Sequence, residues 1–378
     1  MGECGINEQG CLTLHQKRAK IYLDILRIVA IFFVVYNHTP GSRFLPYGEW
    51  SDMSYWSMLF VNQIVKMAVP VFLLVSGALL LNRCETVAVV MKKRVMRFIV
   101  IILLITSVQY TISCYWENKE FTLKGMFSLS SLKCDHNEFF ACWFLYVYLG
   151  ILIILPILRK LVQSVSDKMF IYLMGVQFIC CCIIPVMCLF LGNYVDLGFV
   201  HDWMPFISRK CIFPFTVEYC IFYVILGYFL EHRVPADIWD KRRGLLFAVA
   251  IGCLIGGAVC MEMERRCLGT VEIQHTTVFL KSFLPVPCML AYMGVKSFCQ
   301  SVQVGMRARK MIAVLGGATF SVMLLENLFR VQWGWMWQPL ANILGLIPAT
   351  LVYSALIWSA ALCVGVLLKQ VPWLNRYV

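Results

Sequence analysis

The sequence predicts an all-α, polytopic membrane helical bundle of about ten transmembrane helices with both termini cytoplasmic. Three observations lead there. Hydrophobic residues make up 60% of the 378-residue chain against 14% charged, a balance typical of membrane proteins. Apolar runs recur along the whole length, and no polar segment between them is long enough to enclose a core of its own. The basic residues are distributed unevenly about those runs. Residues 1–20 therefore read as a cytoplasmic tail and 21–378 as a single membrane domain.

A span needs about 20 mostly apolar residues. Taken in order, the runs that qualify are 21–40, 62–82, 96–116, 141–158, 169–192, 212–231, 245–261, 276–296, 311–332 and 345–368. The first follows a polar, weakly basic tail and is not followed by a small-residue cleavage site, so it reads as a retained span and not a leader. The third follows the basic cluster Lys92, Lys93, Arg94 and Arg97. The seventh is short and carries Gly252 and Gly256, a spacing that favours close helix packing inside the bundle. Trp333, Trp335 and Trp337 follow the ninth, as an aromatic belt at the outer surface would.

With the N-terminus inside, the inner segments hold 21 Lys and Arg and the outer ones 9, leaving Arg27, Lys66 and Lys281 within spans. This is a positive-inside distribution. The same clustering between apolar runs argues that the net charge of +12 sets membrane orientation and does not serve nucleic acid. The chain has eighteen Cys, most of them inside apolar runs, where Cys acts as a small hydrophobe. No CxxC or Cys/His spacing predicts a metal site. Cys134 and Cys142 flank an outer loop; they are the one pair placed for a disulfide, and they are expected to stay unbridged. The longest outer loops, 116–140 and 193–211, carry His136 and His201. No inverted repeat is evident, which argues against a transporter built on one.

The opening run YLDILRIVAIFFVVYNHTP holds the residues that a lipid-facing helix does not need. A charge inside a bilayer costs several kcal/mol unless it is paired or lines a wet cavity. Arg27 and His38 are eleven residues apart, about three turns, so they return to within roughly 20° of one face while lying roughly 16 Å apart along the axis. They cannot touch each other and must serve different parts of something. Asp24, one turn before Arg27, is placed to pair with it. The alternative is that Arg27 snorkels to the headgroups and His38 is an ordinary polar terminus. Asn37 and Thr39 cannot share the face of His38 on a helix, but either could serve if the helix ends there. Glu326 stands in the apolar stretch SVMLLENLF and needs a partner; Arg330, one turn on, is the one that spacing favours, the others being His38 or an acceptor hydroxyl.

The YLDILR opening followed ten residues later by His resembles the start of acyltransferase family 3, the bacterial membrane O-acyltransferases of envelope glycans. The similarity continues in order through VPVFLLVSGALLL at 69–81, KKRVMRF at 92–98, CWFLYVYLGILIILPIL at 142–158, LGYFL at 226–230 and LGGATFSVMLLENLF at 315–329. It implies transfer of an acyl group, commonly acetyl, from acetyl-CoA (acyl-CoA) as donor substrate, with no bound cofactor, to a hydroxyl of a glycan or lipid-linked sugar in the cell membrane. It also implies that Arg27 and His38 are the essential pair. Two positions depart from the family's pattern: Ala141 and Cys142 stand where a His often precedes the WFL motif, and Glu326 stands where a His is frequent.

The chemistry fits those implied roles. CoA is polyanionic at one end and reactive at the far end of a long arm, so it calls for cations at the mouth of a site and a base deeper within. Arg27 with Arg94 and Arg97 fits the first, since Arg forks suit phosphate; otherwise Arg94 and Arg97 only enforce topology. His38 fits the second, either as general base, an imidazole having an ordinary pKa of about 6.5, or as a transient acyl carrier. The sequence ends about ten residues after the last expected span, so the chemistry is expected within the membrane domain. The rival reading is an uptake module of the same fold, in which intramembrane Arg, His and Glu form a substrate or proton path.

Overall fold

The computed structural model describes residues 21–43, 52–127 apart from 117, 143–191 apart from 185, 188 and 189, 219–268 apart from 236, and 283–371. Among these residues the chain is helical, with no strand. Its main helices are α1 (Ile21–Asn37), α2 (Met53–Lys66), α3 (Ala68–Leu80), α4 (Met96–Trp116), α5 (Trp143–Ser164), α6 (Asp167–Phe178), α7 (Tyr219–His232), α8 (Asp237–Leu268), α9 (Pro285–Ser301), α10 (Met306–Gln332), α11 (Trp337–Leu344) and α12 (Leu346–Leu368). Among the described residues, six helical stretches are long and apolar enough to cross a membrane: Met53–Leu80, Val87–Ile112, Trp143–Ser164, Ile238–Arg266, Met306–Gln332 and Leu346–Leu368. The chain is thus a helical membrane protein.

Local chemistry explains where several elements start. Asp52 caps α2 by accepting from the backbone N–H of Ser54 and Tyr55, at 2.9 and 3.3 Å, which satisfies two of the donors every helix start leaves open. The helix therefore begins nine residues before the expected 62–82 run, and it breaks at Met67, before α3. Pro70 sits in the first turn of α3, where its missing N–H costs nothing. Thr86 caps Val87–Val90, and this turn runs through the π-helical Met91–Val95 into α4. The basic cluster at 92–97 is therefore helical and not an inner loop. The short run at 245–261 belongs to the 32-residue α8, kinked at Arg242. Gly345, at φ +78°, turns the chain from α11 into α12 in a conformation that a side chain would resist.

Lipid tails are as apolar as leucine, so helices in a bilayer associate through close packing and not through hydrophobic transfer. The α3–α7 crossing is the tightest case. A Cβ on Gly77 would lie 1.8 Å from the Val224 carbonyl oxygen, and one on Gly227 would lie 2.0 Å from that of Leu74. Of the GxxxG pair in α8, a Cβ on Gly256 would meet the ring of Phe283, whereas one on Gly252 would meet nothing within 4 Å among the described residues.

Helix α1 is packed on two sides. Leu23, Leu26 and Ala30 join the main core with α3, α5 and α7, while Ile31 and Val35 join a second cluster with Val322 of α10 and Tyr353 and Ile357 of α12. Its polar residues are thereby held between α3 and α10.

Candidate functional site

Two cavities lie side by side inside the bundle, with three lining residues in common. The larger, about 610 Å³, opens at the end of the bundle that holds the start of α1, the end of α3 and the end of α12. Its lining includes six cationic side chains, Arg27, Arg83, Lys93, Arg94, Arg97 and Lys369, and one carboxylate, Glu85. The smaller, about 50 Å³, is lined by His38, Glu326, Asn327 and Gln109 among apolar side chains. Phe72, Phe144 and Met323 line both.

The first helix delivers one residue to each cavity. Arg27 donates from Nη1 to Asp24 Oδ1 at 3.1 Å, both side chains being about a quarter exposed. The pairing expected from their spacing is thus present. Gly316 of α10 lies against this pair, where a Cβ would come 2.6 Å from Asp24 Cβ. Only glycine lets α10 approach so closely.

His38 follows the last residue of α1, its N–H still bonded to the carbonyls of Val34 and Val35. Because the helix ends at Asn37, Thr39 is free to turn inward, but its hydroxyl donates to the Tyr36 carbonyl at 2.6 Å and is fully buried there. Asn37 Oδ1 accepts from Ser42. Both polar neighbours of His38 therefore stabilise the turn after the helix.

His38 Nδ1 lies 2.7 Å from Glu326 Oε1, across 288 residues of sequence. With Glu326 ionised and the ring neutral, Nδ1–H donates to the carboxylate and the lone pair is left on Nε2, the arrangement that a positioned base needs. Glu326 is 1% exposed, and its Oε2 has no hydrogen-bond partner among the described residues.

This corrects the expectation that Glu326 pairs with Arg330. Arg330 instead donates from Nε and Nη2 to Asn327 Oδ1, at 3.0 and 2.7 Å, and its carbonyl accepts from Tyr353. Three residues separate Arg330 from Asn327, which is one helical turn, so the amide meets the guanidinium while Glu326 turns to α1.

Arg94 and Arg97 both line the cation-rich cavity. Arg94 is committed to a forked contact with Glu85, from Nε to Oε2 at 2.9 Å and from Nη2 to Oε1 at 2.6 Å. Arg159, 4% exposed, donates to the same carboxylate at 2.9 Å and to the Leu80 carbonyl. The fork from Arg94 holds the Glu85 carboxyl down at about 2, against the opposing effect of burial and with help from Arg159. Lys369 reaches back from the end of α12 to donate to the Gly317 carbonyl. Burial pulls its ammonium below the usual lysine range, and the charges of Arg97 and Arg27 add to this.

Glu85, Arg159 and Lys369 escaped the sequence reading. Glu85 had a signal, being the lone acid among the basic residues at 83–97. Lys66 lies at the end of α2, while Cys134, Cys142, His136, His201, Glu218 and Lys281 lie outside the described residues.

Comparison with curated proteins and with solved structures returns no match. A family model described as an acyltransferase domain matches residues 20–368, nearly the whole chain and the described lining of both cavities apart from Lys369, and the chain therefore belongs to acyltransferase family 3.

Proposed function

We propose that the protein is an integral O-acyltransferase of the bacterial cell membrane, moving an acetyl group from acetyl-CoA to a hydroxyl of an envelope carbohydrate or lipid-linked sugar, with both termini cytoplasmic. The observation that carries this reading is a wide, cation-lined cavity set beside a small chamber in which an imidazole meets a buried carboxylate. That is the pairing a long polyanionic donor with a reactive far end requires. The donor's phosphates lie among Arg27, Arg97, Lys93 and Lys369, and its arm extends toward His38. Arg94 serves mainly to hold Glu85 and the end of α3.

His38 Nε2 removes the proton of the acceptor hydroxyl as its oxygen attacks the thioester carbonyl. The tetrahedral adduct collapses by breaking the carbon–sulfur bond, and the imidazolium returns the proton to the departing thiolate. The ester and free CoA are the products, so atoms and charge balance. Glu326 stabilises the imidazolium while it exists and fixes which nitrogen carries the proton.

The test uses full-length protein in nanodiscs. Acetyl-CoA binds to the wild type, binds more weakly to Arg27→Ala, and binds undiminished to His38→Ala, while envelope glycans from cells with the His38→Ala gene lack an acyl group seen by mass analysis with the wild type. Absence of CoA binding together with solute uptake into vesicles would replace this reading with an uptake module.

A further inference from the structure

We infer that Phe72, Phe144 and Met323 form a neck that admits a short acyl group to His38 and excludes a longer one. This rests on the acyl-CoA reading above and assigns the chain-length selectivity of that site.

The three side chains come from three helices, α3, α5 and α10, and they are the residues that the two cavities have in common. As the described side chains shared by both linings, they stand where an acyl group held among the cations would enter the chamber of His38. The approach is aromatic: the Phe98 and Tyr148 rings lie 5.1 Å apart, Tyr148 and Phe144 5.8 Å, and Phe144 and Phe72 6.5 Å between centroids. Apart from the Tyr148 hydroxyl, such a wall presents ring faces and edges and accepts an apolar arm. Met323 closes the third side with an unbranched, readily rearranged thioether. It sits one turn before Glu326 on α10, so the neck is set directly beside the His38–Glu326 pair.

The volumes then decide the cargo. One water needs roughly 10–15 Å³ of such space, so the chamber of about 50 Å³ holds only a few heavy atoms. Acetyl has three, and Val34, Val69 and Ile105 give its methyl an apolar wall. A six-carbon chain does not fit, and it would have to stay on the wide side of the neck, with its thioester out of reach of His38.

The experiment compares binding of CoA, acetyl-CoA, butyryl-CoA and hexanoyl-CoA to full-length protein in nanodiscs by calorimetry. A single methylene misfit in a hydrophobic pocket is worth about 10–200-fold. Wild type is expected to bind hexanoyl-CoA at least about tenfold more weakly than acetyl-CoA, and Phe144→Ala and Met323→Ala are expected to reduce that ratio to within about threefold. Phe144→Leu, a milder truncation, gives an intermediate ratio and stands in should Phe144→Ala fail to fold. Equal affinity for all chain lengths in wild type overturns the neck, as does a ratio unmoved in Met323→Ala and Phe144→Leu, while CoA binding in either case leaves the acyltransferase reading standing. Failure of wild type to bind any of the four overturns both.

Discussion

The two cavities are built on opposite principles. The wide one is held by charges on loops and helix ends, most of them close in sequence, with Glu85 linking the end of α3 to the π-helical turn before α4 and to the end of α5. The small one is held by apolar packing around the His38–Glu326 pair, whose members are 288 residues apart, with Gln109 and Asn327 beside it. A region that grips a charged ligand needs many replaceable contacts; a region that does chemistry needs one contact held rigidly. Substitutions should therefore be graded in the first region and close to all-or-none in the second.

The sharpest test of that contrast is His38→Ala. General base catalysis contributes about 10²–10⁴-fold, and without the imidazole no other described side chain in the chamber is positioned by a buried carboxylate. Transfer is expected to fall at least about a thousandfold with the acetyl-CoA affinity unchanged, read by steady-state kinetics alongside calorimetry. A loss confined to donor affinity would merge the two regions into one binding surface and remove the distinction.

Arg27→Ala should produce the smaller, complementary effect. A hydrogen bond to a charged group is worth about 1.5–3 kcal/mol, which predicts a 10–100-fold rise in Kd for acetyl-CoA. Because the substitution also leaves Asp24 unpaired against Gly316, Asp24→Asn combined with Arg27→Ala separates lost phosphate contact from lost packing. If the double variant recovers wild-type affinity, Arg27 acts only as the partner of Asp24.

Glu326→Gln should act on turnover alone. The amide oxygen still accepts from Nδ1–H, so the ring stays oriented, but the negative charge that steadies the imidazolium is gone. About tenfold in kcat is expected, from the roughly twofold strength of charge-assisted over neutral hydrogen bonds, with KM for the donor unmoved. An equal loss of donor affinity would argue that Glu326 contacts the donor and not His38.

How far each region was legible in the sequence follows from the same contrast. Arg27 and His38 stand out because an eleven-residue spacing on one helix can be read without tertiary information, and the Asp24 contact is likewise local. The role of Glu326 was visible as an anomaly but its partner was not. Arg330 is nearer in sequence, yet it is satisfied by Asn327, and only the packing of α10 against α1 brings His38 within reach. Arg159 and Lys369 look like orientation signals until the fold turns them onto Glu85 and Gly317. Phe72, Phe144 and Met323 differ in nothing, as sequence, from the apolar residues around them. Their placement at the junction of two cavities is wholly a product of how three helices cross.

The smallest and most revealing effect is expected from Glu85→Gln. In the wild type this carboxylate sits among the cations that the donor phosphates would use, so it opposes donor binding electrostatically while bracing Arg94 and Arg159. Its folded-state pKa, about 2, is below the ordinary value of 4.5. A depressed carboxylate stabilises the fold fully above its unfolded pKa and loses that contribution as pH falls through the folded value, which places the loss between about 4.5 and 2. The variant should therefore bind CoA a few-fold more tightly at pH 7, as expected for removing one partly buried like charge from the ligand's surroundings. It should also unfold at a lower temperature at pH 7 while losing part of the wild type's further destabilisation toward pH 3. Weaker CoA binding in a variant that stays folded would mean that Glu85 positions the phosphate-facing arginines so closely that its bracing outweighs its charge. The wide cavity would then share the rigidity assigned to the small one.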